Sequence, residues 1–517
     1  MLRHLRIVGF AALVMGVAFS GTVRSSLSAA PPLAPAQAGQ MGDPFDSLHF
    51  RSIGPATMSG RITDLAVYDK NPAVFYVSTA HGGVWKTTSN GATYDALFQD
   101  QGLMSVGTVE VSQKNPNLVW IGTGESNNRQ SSSWGNGVWK STDAGATWKN
   151  MGLGESYHIN RIVIHPDDNN TVLVAATGSL FGPGGDRGVY KTTDGGTTWK
   201  AVLTGDADTG ANDLVIADAN PDIMYASMYQ RRRLQCCMNG GGPGSGVFKS
   251  TDGGDTWARL EGGLPTVDMG RIGLDVYRPT ANTVYALIEA EGPAGGGGRG
   301  GGGGGAAAGG RGGAPAEQSP TGLYRSDDGG ESWKQVSTVN PRPMYFSQVR
   351  VDPNNPDVVY MGGVGVHMSI DGGRSFVTDA AQAIHDDIHA LWIDPMNSDH
   401  VLIGGDGGVA VTYDQSKTWT QHNNLPLGLY YHVSYDMQTP YNVCGGLQDN
   451  YNWCGPSATR FTRGILNSDF YQVQGGDGFE GVDEGGLCRG RGRAARAREP
   501  LGDRVPAPLR DHAGQRG

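Results

Sequence analysis

The stretch Ser250-Thr251-Asp252-Gly253-Gly254-Asp255-Thr256-Trp257 decides the fold, because near-copies of it recur along most of the chain. Five further copies are STDAGATW (141–148), TTDGGTTW (192–199), SDDGGESW (326–333), SIDGGRSF (369–376) and TYDQSKTW (412–419). A less regular first copy, TTSNGATY, occupies residues 87–94. Apart from one long interval, successive copies are about 43 to 58 residues apart, a period that indicates a repeat architecture.

Each part of this octet has a role in a tight turn between two strands. The Asp side chain can accept hydrogen bonds from backbone N–H groups just downstream, and the Gly two places later suits a positive φ. The terminal aromatic ring can be buried against a neighbouring sheet. We therefore interpret six aspartates as structural, namely Asp143, Asp194, Asp252, Asp328, Asp371 and Asp414.

The pattern S/T-x-D-x-G-x-T/S-W resembles the Asp-box, or BNR, repeat of sialidase-like and sortilin-type β-propellers, and the resemblance extends from Phe50 to about Gly478. In that family the box joins the third and fourth strands of a blade, far from the central funnel. The resemblance therefore implies an all-β, seven-bladed propeller in which the octets are structural.

Between the boxes, three strand-like runs return in the same order, beginning with residues 61–68, 73–78 and 83–86. With the box joining the third strand to a fourth, each repeat predicts a four-stranded blade. Seven such repeats span residues 61–428. Part of an eighth repeat follows at 429–484, and it either begins a second propeller or helps to close the first ring.

The remaining segments read differently. Residues 1–38 combine Arg3 and Arg6 with the apolar run 7–19 and small residues further on, which is typical of a secretory signal peptide. Residues 39–60 form a lead-in. The Gly-rich residues 292–320 predict a disordered insertion in the fifth blade, and the Arg-rich residues 485–517 a disordered or out-of-frame tail. A secreted or periplasmic protein is expected.

Composition narrows the partners. The chain has 82 Gly, 11 Trp and only 17% charged residues, which suits a turn-rich all-β protein. A formal net charge of −10 argues against nucleic acid as a partner, and after residue 38 no run approaches the ~20 apolar residues of a membrane span. The expected partner is therefore a protein, a peptide or a glycan.

Two cysteine pairs stand out among the five cysteines. Cys444 and Cys454 flank a predicted hairpin and could be bridged in an oxidising compartment. Cys236 and Cys237 are adjacent, and we interpret them as two thiols in a loop, with a strained vicinal disulfide as the alternative.

A glycosidase needs two carboxylates around the scissile bond. The first blade resembles that of double-propeller xyloglucan hydrolases, which carry an Asp two residues before a Gly-Gly pair. The matching place holds Ala80 or His81, and the second carboxylate is expected in a later propeller. Sialidases need three arginines that bind the substrate carboxylate, and in this chain only Arg51 faintly resembles one of them. The sequence leaves open whether the chain is an enzyme, and it favours a protein without catalytic activity.

The densest polar segment, His385-Asp386-Asp387-Ile388-His389, predicts a divalent-cation site. On a strand start, His385, Asp387 and His389 would share one face by period-two alternation. The alternative is that these are loop residues that cap strand ends and bond to neighbouring blades.

Propellers bind partners at the mouth of the central channel, where the loops entering the inner strands converge. Four arginines near those loops, Arg61, Arg161, Arg271 and Arg350, could form a ring that receives an anion or an acidic peptide. Alternatively, each arginine pairs with carboxylates of the preceding blade. The sequence favours a binding or scaffold module, with a xyloglucanase-like or sialidase-like glycoside hydrolase as the second hypothesis.

Overall fold

The computed structural model describes residues 51–56, 59–129, 132–290 and 319–478. The predicted signal peptide, most of the Gly-rich insertion and the predicted tail lie outside these residues. We number the main sheets 1 to 8 in chain order. Sheet 6 has three strands, the others have four, and a two-stranded ribbon is inserted in sheet 4.

The strands of sheets 1 to 4 have the following bounds. Sheet 1 contains β1 (Ile62–Val67), β2 (Phe75–Thr79), β3 (Val84–Thr87) and β4 (Asp95–Ala96). Sheet 2 contains β5 (Val106–Val111), β6 (Val119–Thr123), β7 (Val138–Ser141) and β8 (Lys149–Asn150). Sheet 3 contains β9 (Ile159–His165), β10 (Asp168–Ala176), β11 (Gly188–Thr192) and β12 (Lys200–Leu203). Sheet 4 contains β13 (Thr209–Ile216), β14 (Met224–Gln230), β17 (Gly246–Ser250) and β18 (Ala258–Arg259), and the ribbon is β15 (Arg232–Arg233) with β16 (Met238–Asn239).

Sheets 5 to 8 follow the same order. Sheet 5 contains β19 (Met269–Val276), β20 (Val284–Ala290), β21 (Gly322–Ser326) and β22 (Lys334–Ser337), and sheet 6 contains β23 (Gln348–Asp352), β24 (Asn355–Gly363) and β25 (Gly365–Ser369). Sheet 7 contains β26 (Ile388–Asp394), β27 (Asn397–Gly405), β28 (Gly408–Thr412) and β29 (Thr420–Gln421). Sheet 8 contains β30 (Tyr430–Tyr435), β31 (Asn442–Leu447), β32 (Asn452–Pro456) and β33 (Tyr471–Gln474). Short 3-10 helices occupy Gln99–Gln101, Gly154–Ser156 and Asn467–Asp469.

Every pairing within these sheets is antiparallel, and the strand order follows the chain, so each sheet is a simple meander. The second strands of sheets 1 and 2, FYVST and VWIGT, are buried at every position. β-branched and aromatic residues favour such central strands because their side chains pack on both faces of a sheet. The predicted three-strand phrases therefore correspond to observed strands.

Within the described ranges, the apolar core is divided into seven clusters, each of which lies between two neighbouring sheets of the ring. The closing cluster joins Ile62 and Leu65 of sheet 1 to Leu402 and Val409 of sheet 7. Each fully buried side chain of this kind contributes roughly 1.5–3 kcal/mol of hydrophobic stabilisation. The sheets thus pack around a ring, and the predicted all-β propeller class is confirmed. The number of blades in the complete protein stays a prediction.

Polar contacts at the outer rim also join sheet 7 to sheet 1. The hydroxyl of Tyr94, the last residue of the irregular first octet, lies 2.7 Å from His422 Nδ1. Asn424 Nδ2 donates to the carbonyl of Gly91 at 2.8 Å. The divergent octet is therefore part of the ring closure.

The octets form the turns after the third strands of sheets 1 to 7. Asp252 Oδ1 accepts hydrogen bonds from Thr256 N at 2.9 Å and Ser250 Oγ at 2.7 Å, while Oδ2 accepts from Thr256 Oγ1 at 2.6 Å. Gly254 has φ +86°, a conformation that suits glycine. The same aspartate bonds recur at Asp143, Asp194, Asp328, Asp371 and Asp414. Several box tryptophans also bond to the preceding sheet, as in Trp199 Nε1 donating to Met151 O at 2.8 Å.

These bonds predict an acid dependence of stability. The hydrogen bonds from Thr198 lower the pKa of Asp194 from 3.8 to about 2. At a pH above 3.8 the ionised side chain therefore contributes its full stabilisation to the fold. This contribution is lost as the pH falls from 3.8 through the folded-state pKa of about 2. We expect Asp194→Asn to have a lower melting temperature than the unsubstituted chain at pH 6, with a smaller difference at pH 2.5. Asp222→Asn, at an exposed site outside a box, is the control; an equal loss in both variants would contradict this role.

Sheet 8 lies outside the ring of clusters. Its first strand exposes Val433 and Tyr435, at 56% and 67%, whereas β19, the first strand of sheet 5, is buried throughout. Asn467 beside this sheet accepts from Ala56 N at 2.9 Å and donates to Asn423 O at 3.0 Å. Sheets 7 and 1 meet directly, so sheet 8 is not needed to close the ring. That it begins a second propeller stays a prediction.

Candidate functional site

Eight polar and aromatic residues lie together at one mouth of the ring: His389 is on β26, and the others are in loops that precede first strands or join second to third strands. They come from sheets 1, 2, 6, 7 and 8, or from the loops that lead into them. We call them the mouth cluster: Arg61, Glu125, Arg129, Tyr345, Asp387, His389, Asp406 and Asp449.

Arg61 is the hub of the mouth cluster. Its Nε and Nη2 donate to the two carboxylate oxygens of Asp406, both at 2.8 Å, in the bidentate geometry that planar guanidinium groups favour. Its Nη1 donates to Glu125 Oε1 at 2.9 Å, and Asp449 Oδ2 lies 3.6 Å from Nη2. The Arg61, Glu125 and Asp406 side chains are no more than 2% exposed. One guanidinium therefore joins sheets 1, 2, 7 and 8.

The electrostatics of the hub favour its charged form. Burial alone would raise the pKa of Asp406, but Arg61 and His389 outweigh it and hold that pKa well below its usual value. His389 Nε2 donates to Asp406 Oδ1 at 2.9 Å. Burial likewise opposes the charge of Arg61, yet Asp406 and Glu125 raise the pKa of Arg61 well above the ordinary range. Arg61 and Asp406 are therefore both charged at neutral pH.

Tyr345 forms the aromatic side of the cluster. The guanidinium carbons of Arg61, Arg129 and Arg342 lie 5.9, 5.8 and 4.7 Å from its ring centroid. Distances of this size allow cation–π attraction. The hydroxyl of Tyr345 also accepts from Arg129 Nη1 at 3.2 Å, and burial raises the pKa of Tyr345. This residue positions three arginines at once.

Two carboxylates of the mouth cluster remain partly accessible. The side chains of Asp449 and Asp387 are 29% and 16% exposed, and their nearest arginines are Arg129 at 3.3 Å and Arg342 at 3.2 Å. Burial, reinforced by the nearby Asp406, raises the pKa of each. Both residues have positive φ, of 59° and 65°, a conformation that aspartate tolerates better than most residues. They are the two carboxylates of the mouth cluster that are most accessible to a ligand.

The four arginines predicted to form a ring lie at different places. Arg61 is the buried hub, and Arg271 donates to the backbone carbonyl of Tyr345 at 2.6 Å. Arg161 pairs with Asp213 and Asp64, at 3.1 and 3.5 Å, on the inner strands. Arg350 donates to the carbonyl of Val349 at 2.6 Å. The geometry does not gather them into one anion receptor, because carboxylates or backbone carbonyls already take up donors of each.

The three predicted metal ligands also diverge. Strand β26 begins at Ile388, so His385 and Asp387 precede it and the expected alternation does not apply. His389 faces Asp406, Asp387 faces Arg342, and His385 Nε2 lies 3.1 Å from the carbonyl oxygen of Asp449. Among the described residues, no group of three or more His, Cys, Asp and Glu side chains is arranged to hold a metal ion. The cation site stays a prediction without geometric support.

Sequence reasoning missed Glu125, Arg129 and Tyr345. The segment Gly124-Glu-Ser-Asn-Asn-Arg129 directly follows a fully buried second strand, so its run of polar residues was a usable signal. Asp406 stands at the equivalent place after β27. Nothing in the chain order marks Tyr345, whose role depends on arginines from three different loops.

Both cysteine pairs are joined in the structure. Cys444 and Cys454 face each other on β31 and β32, with an S–S distance of 1.99 Å. Cys236 and Cys237, which we interpreted as two thiols, are also bonded, in the turn of the ribbon formed by β15 and β16. Only the first pair lies in a sheet next to the mouth cluster.

Residues 136–280 match the family model described as Sortilin, neurotensin receptor 3 (Sortilin-Vps10). Similar solved structures include the GH74 xyloglucanase from Xanthomonas campestris, with a TM-score of 0.54 and 16% identity over 78% of this chain and 60% of that one. The GH74 enzyme from Niastella koreensis gives 0.52 and 15% over 78% and 59%. YCF48 from Cyanidioschyzon merolae is less similar, with 0.43 and 13% over 71% and 99%.

No protein of curated function matches the chain in sequence. At these identities the structural likeness shows the fold alone, and the chain spans about 60% of the length of the xyloglucanase that it matches. The fold, the recurring octets and the family match agree with one another. The chain is therefore a β-propeller protein, and residues 136–280 match Sortilin-Vps10, a family of BNR/Asp-box propellers.

Proposed function

We propose that the chain is a secreted binding or scaffold module that takes a peptide, protein or glycan ligand at the mouth cluster. One observation supports this proposal: a buried group of ion-paired side chains lies beside charged side chains that remain accessible. Arg61, Glu125 and Asp406 are fixed by ion pairs, while Arg129 and Asp449 are 20% and 29% exposed. Preorganised polar groups of this kind lower the ordering cost of binding.

The arrangement offers less to catalysis. At the place where the xyloglucan-hydrolase pattern needs a carboxylate, Ala80 is 1% exposed and donates its backbone N–H to the carbonyl of Arg61 at 3.1 Å. His81 Nε2 lies 2.9 Å from Ser133 Oγ. The carboxylate of Asp406 is buried against Arg61, which holds its pKa well below the usual value and makes it a poor proton donor.

A glycoside hydrolase is the second candidate, and one observation favours it. Asp387 and Asp449 are two partly accessible carboxyl groups with raised pKa values at the same mouth. A raised carboxyl pKa is what a general acid needs near neutral pH. On this hypothesis Asp449 is the acid, because it is the more exposed of the two.

Secretion is supported by the signal-peptide pattern of residues 1–38. In addition, none of the helices within the described ranges is long and apolar enough to cross a membrane.

The test compares binding with hydrolysis. The labelled chain is applied to peptide and glycan arrays, and its hits are measured again with Arg129→Ala and Asp449→Asn. We expect affinity to fall at least about 10-fold, because a hydrogen bond to a charged group contributes about 1.5–3 kcal/mol. Lys191→Ala, which removes a rim ion pair with Asp255, is the control. Hydrolysis of a polysaccharide that Asp449→Asn abolishes would instead establish the second candidate.

A further inference from the structure

The side of the mouth formed by sheets 7 and 8 carries an excess of carboxylates. Asp386, Asp387 and Asp406 come from sheet 7 or the loop before it, and Asp449 and Asp477 from sheet 8 or the loop after it. Asp477 is exposed, and its Oδ1 accepts from the backbone N–H of Asp449 at 3.1 Å. The arginines that pair with these groups are Arg61, Arg129 and Arg342. This side therefore attracts positive charge.

Buried oxygen atoms that accept no hydrogen bond from the described residues add to the negative electrostatic potential on this side of the mouth. Gln448 Nε2 donates to Asp449 Oδ2 at 3.0 Å, and Asn450 Nδ2 donates to the carbonyl of Asp406 at 2.8 Å, which fixes the orientation of both amides. Gln448 Oε1, Asn450 Oδ1 and Glu125 Oε2 then accept no hydrogen bond from any residue that the structure describes, and these residues are 3%, 1% and 0% exposed. All three are acceptors, so the buried layer under the carboxylates presents negative partial charge.

Arg342 shows which kind of cation the site accommodates. Its guanidinium pairs with Asp387 at 3.2 Å and lies over the Tyr345 ring, while its side chain is 50% exposed. It combines an ion pair with cation–π contact at the edge of the mouth. A guanidinium is therefore already held there from within the chain, in a place open to solvent.

Arginines also lie on the other side of the mouth. Arg187, Arg231 and Arg271 are buried, and each donates to backbone carbonyl oxygens. They do not reach Asp449 or Asp387, since their bonds run to the loops of sheets 2 to 4 and to Tyr345. A positively charged group of a ligand would therefore contact carboxylates only when it faces the side of the mouth formed by sheets 7 and 8.

From these observations we propose that the mouth recognises an arginine side chain of a peptide or protein partner, with its guanidinium seated between Asp387, Asp449 and Asp477. This proposal rests on the proposed binding function and reverses the sign of the ligand that the sequence predicts. The five N–H groups of a guanidinium can donate to several carboxylate oxygens at once. Arg342 occupies part of the same place and competes with the incoming side chain.

Calorimetric titration of the full chain tests this with capped Ala-Ala-Arg-Ala-Ala and its citrulline counterpart, which keeps the shape but lacks the charge. We expect the arginine peptide to bind at least 10-fold more tightly, and its affinity to fall with added salt. Asp449→Asn and the more exposed Asp477→Asn should each weaken it, with circular dichroism to verify folding. Arg342→Gln should strengthen it, whereas Arg374→Gln, at an exposed box position, should leave it unchanged.

The outcomes separate the two proposals. Equal binding of the arginine and citrulline peptides, or no binding of either, overturns the arginine site. If neutral glycans or acidic peptides bind the mouth and depend on Arg129, the binding module stands and only the arginine site falls. If no array ligand binds and Asp449-dependent hydrolysis appears, the binding function itself falls.

Discussion

Arg61→Ala is expected to lower the free energy of unfolding by about 3–5 kcal/mol, because it leaves a buried carboxylate pair without its counter-charge. Arg61 makes three short hydrogen bonds to Asp406 and Glu125, and all three side chains are buried. The measurement is urea denaturation at pH 7, followed by tryptophan fluorescence.

The same experiment at lower pH separates charge from packing. In the unsubstituted chain Asp406 has a depressed pKa, so its contribution is complete above the ordinary value of 3.8 and is lost as the pH falls through the folded value. Without Arg61 this dependence should shrink, and the gap between variant and parent should narrow as the pH falls below 3.8. Arg374→Ala, on the surface, should stay within about 0.5 kcal/mol of the parent. An equal loss in both variants would refute the role of the hub.

Gly124→Ala is expected to cost about 2–5 kcal/mol, since it combines overpacking with left-handed strain. Gly124 has φ +88°, and an added Cβ would collide with the carbonyl oxygen of Tyr157 and lie 2.7 Å from the backbone nitrogen of Gly135. The residue begins the loop that carries Glu125 and Arg129, so a backbone shift here also displaces two members of the mouth cluster. Thermal unfolding and ligand binding should both report the change.

Gly102→Ala is the matched control for this variant. Its φ is +68°, but no atom lies within 4 Å of the position that a Cβ would take. Only the left-handed conformation is penalised, at about 1–2 kcal/mol. If the two alanine variants lost the same stability, close packing at Gly124 would not be the cause, and the loop would have room to adapt.

The fold could be predicted from the sequence because its information is local and repeated. One octet supplies the turn-closing aspartate, the glycine with positive φ and a ring that contacts a neighbouring sheet, and seven copies mark the same point of successive sheets. An error in reading any single copy would not change the architecture.

The site is much less predictable, because its contacts are made by ring formation. Arg61 and Asp406 are 345 residues apart, and Glu125, the other carboxylate to which Arg61 donates, is 64 residues away in another sheet. The predicted cation site stays a prediction: β26 begins at Ile388, three residues after His385, so the strand alternation on which it rested does not apply to His385 and Asp387. The arginine ring also stays a prediction, because the positions of the four arginines along the chain do not show which carboxylates or carbonyl oxygens accept from each of them.

The join between sheets 7 and 1 has a consequence for how the protein is made. Tyr94 and His422, which meet across that join, are separated by 328 residues. At a synthesis rate of ~5–20 residues per second, the ribosome needs roughly 16 to 66 s to add that length. During that time Ile62 and Leu65 lack the sheet 7 side of their cluster, so the nascent chain exposes an apolar surface on which a chaperone can act before the ring closes.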